Sequence, residues 1–166
     1  RSFCGKTPKI AESAFVSEAA YVVGDVKIGA HSSIWPGAVL RGDVASIKIG
    51  ENSQIEDNCV VHTAVPMVIG YNVHIGHSAV IHCGKIGNNV LIGNNTTILD
   101  QAEIGDFCII GANSLISRGM KIPTNSFVVG APAEIKGEAT KEQLASLKKS
   151  IQIYIKLADE HKNQGL

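Results

Sequence analysis

Neither sign of charge prevails in these 166 residues: 15 Lys and Arg stand against 15 Asp and Glu. Without a basic excess there is no broad electrostatic footprint for nucleic acid or for an anionic membrane surface. Aromatic side chains make up 5% of the chain, too few for a bulky globular core. No apolar run has the length of a membrane-spanning helix, and residues 1–20 lack the apolar centre of a signal peptide. Nucleic acid and membrane are therefore not expected as partners, and a cytoplasmic setting with reduced thiols is. The four cysteines, Cys4, Cys59, Cys83 and Cys108, form no CxxC pair and show no metal-type spacing.

What the chain has in quantity is glycine, 17 residues, and a regular return of aliphatic side chains. Ile10, Val16, Val22, Ile28, Ile34 and Leu40 follow one another at intervals of six. An insertion, Asp43 to Lys48, interrupts the count, which resumes at Ile49, Ile55 and Val61. A second irregularity, Ala64 to Val68, precedes Ile69, Ile75 and Ile81. One residue is missing before Ile86, and the period then holds through Ile92, Ile98, Ile104, Ile110, Ile116, Ile122 and Val128. Six residues is neither a helix turn nor simple strand alternation; it is the hexapeptide period of a parallel β-helix. Each hexapeptide supplies one short strand and one corner, and three make a coil of a triangular prism. The twenty guide positions give six to seven coils over residues 1–133, an all-β solenoid. Cys59 and Cys108 fall four residues after a guide, where other repeats carry Ser32, Ala79, Val90 and Ala102, and so read as buried small hydrophobes. Cys83, beside His82, reads as a buried corner residue in preference to a ligand or redox thiol.

From residue 134 the pattern changes to a linker and a C-terminal helix. Thr140 and Gln143 have the spacing of a capping box, and Leu144, Leu147, Ile151, Tyr154, Ala158 and His161 follow at helical intervals. This amphipathic helix is expected to lie along the prism within a single structural domain.

The register turns spacing into geometry. With the guide inward, the residue after it points outward. His62 follows Val61 and His82 follows Ile81, three hexapeptides apart. The two imidazoles therefore stack on one face in adjacent coils, roughly 4.8 Å apart, and are placed to share a cation. His77 lies at the corner before the strand carrying His82, nearly a whole prism side away, or roughly 16 Å for five extended residues. A second subunit could present that corner against the first subunit's face, and three equivalent sites among three subunits is the simplest closed arrangement. Arg41 stands in the column of His62 and His82 one coil earlier, Glu56 follows Ile55, and Asp57 stands one coil before His77. Arg41 is read as an ion-pair residue reaching Asp57 or Asp43 across an interface. His31, His74 and His161 are read as solvated.

At these residues the chain resembles the γ-class carbonic anhydrases. The similar pieces are Arg41-Gly42-Asp43, the run Glu56 to His62, the run Ile75 to His82, Leu99-Asp100, Gly130-Ala131-Pro132-Ala133 and the terminal helix. The resemblance implies a left-handed β-helix, a homotrimer and a metal held by His62 and His82 of one chain with His77 of its neighbour. It implies Zn²⁺, with Fe²⁺ or Co²⁺ as substitutes, and reversible hydration of CO₂ to bicarbonate. Gln54 and Glu56 stand where the family usually carries Asn and then Gln, which places Glu56 as the group that orients water or passes its proton. Tyr154 matches a helix tyrosine near the metal. Arg41, Asp43, Gln54 and Asp57 are expected in the surroundings of the site. The long acidic loop that carries a proton-shuttling Glu in the best-known member is replaced by the short Asp43 to Lys48 segment, which implies slow turnover. Two other readings are an acyl-CoA-dependent hexapeptide acyltransferase, which needs one histidine base, and a metal-holding trimeric scaffold without catalysis.

Overall fold

A computed structural model describes residues 1–166. The six-residue period becomes short parallel strands that stack into three ladders. The first face carries the beginnings of the long strands Tyr21–Ile28 and Val39–Ile49, then Val60–His62, Val80–Ile81, Thr97–Ile98 and Leu115–Ile116. The second carries Lys9–Ile10, the ends of the same long strands, Met67–Ile69, Lys85–Ile86, Glu103–Ile104 and Lys121–Ile122. The third carries Phe15–Val16, Ser33–Ile34, Gln54–Ile55, His74–Ile75, Leu91–Ile92, Ile109–Ile110 and Ser126–Gly130. Seven stacked strands on that face mean seven coils, and the architecture is the left-handed parallel β-helix expected from the repeat and the resemblance.

The guide residues form the core. Ile34, Ile55, Ile75 and Ile92 lie directly above one another and are wholly buried, part of one cluster of 31 buried residues. Each such side chain contributes about 1.5–3 kcal/mol through burial, and β-branched residues suit the pleat. Most corners are turned by the third residue after the guide, which takes positive φ: Asn52, Asn58, Asn72, Asn89, Asn95, Asn113 and Asn125 all do so. Asparagine tolerates this region better than other L residues except glycine. Gly50 answers a different demand, since a Cβ there would come within 2.6 Å of the Gly70 backbone in the next coil.

The insertion Asp43 to Lys48 is not a loop. It continues the strand Val39–Ile49 around the corner, pairing Ile47 with Val26 and with Met67, and these three side chains fill the enlarged corner. The linker expected from residue 134 is likewise ordered as the strand Ala133–Glu138, which folds back antiparallel on Ser126–Gly130 and closes the end of the third ladder. A capping box then starts helix α1, Lys141–Gln164: Gln143 N–H donates to Thr140 Oγ1 and Thr140 N–H to Gln143 Oε1.

Helix α1 packs on the third face. Leu147 and Ile151 meet Ile109, Leu91 and Phe127, while Ala158 meets Phe15 and Trp35. Tyr154 stands edge-on to Trp35 with ring centres 5.5 Å apart. His161 is not free in solvent as expected but half-buried against Phe15 and Trp35, at 5.6 and 5.1 Å. Cys59, Cys83 and Cys108 are buried, and burial pushes the Cys59 and Cys83 thiols up to about 12. No helix is long and apolar enough to cross a membrane.

Candidate metal centre

On the first face, Ile81 pairs with Val61 and Arg41 with His62, so Arg41, His62 and His82 rise in one column. The rings of His62 and His82 are 5.2 Å apart and tilted by 53°. His62 Nδ1 and His82 Nε2 approach to 3.3 Å. Two nitrogens bound at about 2.05 Å to one tetrahedral ion stand roughly 3.3 Å apart, so this spacing fits a shared cation. Burial, followed by the positive charge of Arg41, lowers the pKa of His62 and favours the neutral ring that a metal requires.

Each ring also has a carboxylate at one nitrogen. Asp100 Oδ1 lies 3.0 Å from His82 Nδ1, and Asp57 Oδ2 lies 3.1 Å from His77 Nδ1. Asp43 Oδ1 is 3.3 Å from His62 Nε2 but out of line, which leaves that buried nitrogen without a hydrogen bond. A histidine that binds metal typically donates its other N–H to a carboxylate, which fixes the ring. His82 Nε2 and His62 Nδ1 are the atoms left for an ion. Arg41 donates to Asp43 of its own chain at 2.8 Å. Two residues along one strand bring these groups together within a single chain.

His77 stands at the next corner, and no three His, Cys, Asp or Glu side chains of one chain converge as a metal cage. Its second nitrogen, Nε2, is 3.1 Å from Glu56 Oε2. A neutral imidazole carries one N–H, so it satisfies only one of its two carboxylates. The opposed lone pairs at the other nitrogen call for a proton or a cation. Asp43, Asp57, Asp100 and Glu56 surround the three histidines, with Arg41 as the only permanent cation among them.

Glu56 is buried yet well supplied with donors. His74 Nε2 lies 2.7 Å from Oε1 and the His77 amide donates to Oε2 at 3.0 Å, with the Tyr154 hydroxyl close to the carboxylate. Burial alone pushes Glu56 up, but the hydrogen bonds from His74 and Tyr154 outweigh it and leave the group below its ordinary value. Burial, then the hydrogen bond to this anion, raises Tyr154. The structure therefore brings Glu56 and Tyr154 together, beside His77. Gln54 lies beneath α1, one coil from His74 in the same column, with Oε1 unpartnered.

Three participants escaped the sequence reading. His74 is buried, not solvated, because α1 covers its face. Ser150 of α1 bonds its other nitrogen at 3.1 Å. Asp100 sits in a similar motif but was not placed at the site; its position two residues after Ile98, one coil beyond His82, was the available signal. A groove of about 470 Å³ between α1 and the corner of Asn72, Asn89 and Phe107 holds no histidine.

Comparison with known proteins extends these observations. Residues 83–118 match the family described as "Bacterial transferase hexapeptide (six repeats)". The "Probable carbonic anhydrase" of Methanocaldococcus jannaschii is 47% identical over 90% of this chain and 96% of its own. "Gamma carbonic anhydrase 2, mitochondrial" of Arabidopsis thaliana is 37% identical over 96% of this chain; the chain spans 60% of that relative's length. A hexapeptide transferase family protein from Anaplasma phagocytophilum, known as a crystal structure, superimposes with a TM-score of 0.92 at 38% identity, covering 96% of each chain.

Proposed function

The chain belongs to the γ-class carbonic anhydrases, and on that premise we propose that it hydrates CO₂ reversibly to bicarbonate at metal sites shared between three copies of itself. The observation that carries this reading is the 3.3 Å approach of His62 Nδ1 to His82 Nε2, each ring facing a carboxylate on its other side. His62 and His82 of one chain, with His77 of the partner subunit, hold the ion. Zn²⁺ suits three imidazoles, as do Fe²⁺ and Co²⁺. When bound, the ion supplies the Lewis acidity that makes water nucleophilic near neutral pH.

The protein's own part is positioning. Asp100 and Asp57 hold the His82 and His77 rings. Glu56, which keeps lone pairs free beyond its present donors, accepts the O–H of the reacting water and aims its oxygen at CO₂. Tyr154 stands over the His74 ring beside Glu56 and helps to enclose it. Val60 and Val80 flank the histidines and are 36% and 39% exposed in the single chain; burying them between subunits dries the site and supports the trimer. With Asp43 to Lys48 bound into the prism as strand, no acidic loop carries protons away. Buffer must do so, which makes turnover slow and dependent on buffer concentration.

The reading is tested by purification under anaerobic conditions, elemental analysis, mass determination and stopped-flow hydration at rising buffer concentration. One ion per chain, a trimer and a rate that climbs with buffer are expected. A metal-loaded trimer with no hydration at any buffer strength defeats the enzymatic reading and leaves the scaffold. Acyl transfer from CoA without tightly held metal reverses it in favour of a transferase. Mixing tests the shared site: His62→Ala and His77→Ala homotrimers bind metal poorly, but refolded together regain some sites, since one interface can collect both defects. No recovery would place all the ligands in one chain.

A further inference from the structure

The outward column of the third face reads Phe15, Ser33, Gln54, His74, Leu91, Ile109 and Phe127. Below His74 every member is apolar and packs under α1. An aliphatic residue at 74 would pack there equally well, without the desolvation that a buried imidazole costs. Histidine instead occupies the coil whose corner carries His77. It is 6% exposed, lies edge-on beneath Tyr154 at 5.0 Å, and both its nitrogens are engaged. Its Nε2 faces a carboxylate and so carries the proton, donating to Glu56 Oε1 at 2.7 Å; Nδ1 then accepts from Ser150 Oγ at 3.1 Å. Glu56 in turn accepts the His77 amide at 3.0 Å and lies 3.1 Å from His77 Nε2. One continuous chain of hydrogen bonds thus runs from α1 through His74 and Glu56 to His77.

We propose that His74 is a positioning residue which, tied to α1 by Ser150, fixes Glu56 and through it the orientation of His77, so that the docked C-terminal helix sets the metal affinity of the intersubunit site. This rests on the metal reading above. His74 touches neither metal nor substrate; its part is to keep the Glu56 carboxylate from rotating about its own side chain. Ser150 fixes the ring of His74, and Tyr154 restrains the same carboxylate from the helix side.

The test compares full-length trimers by Co²⁺ affinity, measured against a competing chelator, and by the visible spectrum of bound Co²⁺. His74→Leu, which copies Leu91 in the next coil, is expected to weaken Co²⁺ binding 10- to 100-fold and to alter the spectrum. His74→Gln keeps a donor toward Glu56 and is expected to recover most of the affinity. Ser150→Ala leaves the core intact and is expected to weaken binding several-fold. Leu91→Ala, a packing loss under the same helix, lowers the melting temperature but leaves Co²⁺ affinity unchanged. If the unaltered protein binds one Co²⁺ per chain and His74→Leu and Ser150→Ala bind it equally tightly, the positioning role is overturned while the metal site stands. If Leu91→Ala loses as much affinity as His74→Leu, the effect is general packing and the proposal falls. If the unaltered trimer takes up no Co²⁺, the metal reading falls and this inference with it.

Discussion

Replacing Asp100 with alanine separates the stability of the prism from the quality of its metal site. Asp100 Oδ1 lies 3.0 Å from His82 Nδ1, and the carboxylate is 46% exposed in the single chain. It sits at a corner, where its side chain supports no buried neighbour. An exposed pair of this kind stabilises a fold by about 0–1 kcal/mol. The melting temperature of the metal-free protein should therefore move by only a few degrees at fixed concentration. Metal affinity should respond much more. Without Asp100 only the 3.3 Å contact with His62 Nδ1 remains to orient the His82 ring, and nothing holds its Nδ1 proton. Loss of such a carboxylate partner weakens metal binding about 10- to 100-fold, equivalent to about 1.4–2.7 kcal/mol. Asp100→Asn keeps an oxygen acceptor without the charge and should fall between the two. Chelator competition with Zn²⁺ measures the affinity, and thermal melting of the stripped protein measures the fold. Unchanged Zn²⁺ affinity in Asp100→Ala would refute the reasoning. So would a drop in melting temperature large enough to account for the lost affinity.

Four other outcomes follow from the same structure. Ile75→Ala removes a wholly buried rung of the core ladder and should cost about 2–5 kcal/mol; a loss below 1 kcal/mol by denaturant titration would contradict the stacked core. Thr140→Ala removes the hydroxyl that accepts the Gln143 N–H, the side-chain half of the capping box at residue 140, and should cost about 0.5–2 kcal/mol, read as earlier fraying of α1 by hydrogen exchange; equal protection in both proteins would count against it. Only the thiolate attacks an alkylating agent, and burial holds Cys59 near 12 and Cys108 above its ordinary value. Native protein at pH 8 should therefore be alkylated at exposed Cys4 alone, and unfolded protein at all four cysteines. The same shift weakens the fold in alkali. Below the unfolded value near 9 both states keep the Cys59 proton, and above it the unfolded chain ionises first, so stability falls as pH rises toward 12. Rapid labelling of Cys59 in native protein at pH 8 would show the corner to be open.

The core and the His62–His82 column were legible because a fixed period makes register a matter of counting: once Val61 and Ile81 point inward, the next residues must share a wall. The turn chemistry was half legible. Glycine directly follows eight of the guides, but the turn itself is made three residues after the guide, as at Asn52, Asn72 and Asn89, where positive φ turns the chain. The roles of His74 and Ser150 were not legible, because counting says which way a side chain points but not what lies over it. His74 does point outward. Only the docking of α1, which depends on the fit of Leu147, Ile151 and Tyr154 against a β surface, converts that position into a buried one. Asp43 to Lys48 read only as an insertion in the count, because Ile49 comes nine positions after Leu40 and not six; Val26, Ile47 and Met67 fill a wider corner there, and the strand continues through it.

The outward residue just before each guide assigns the three faces different neighbours. On the second face it is Lys9, Lys27, Lys48, Val68, Lys85, Glu103 and Lys121. Like charges in direct register repel, and lysines on a β surface oppose packing against another sheet, so this face belongs to water. On the third face the column ends in Leu91, Ile109 and Phe127, and α1 covers it. The first face offers Val39, Val60 and Val80, with Thr97 and Leu115 beyond. It has no helix over it, and His62 and His82 stand next to its valines. A wall that is apolar, uncovered and edged with two converging imidazoles is the one suited to another subunit. His77, at the corner between the helix-covered wall and this one, is the histidine such a neighbour would present.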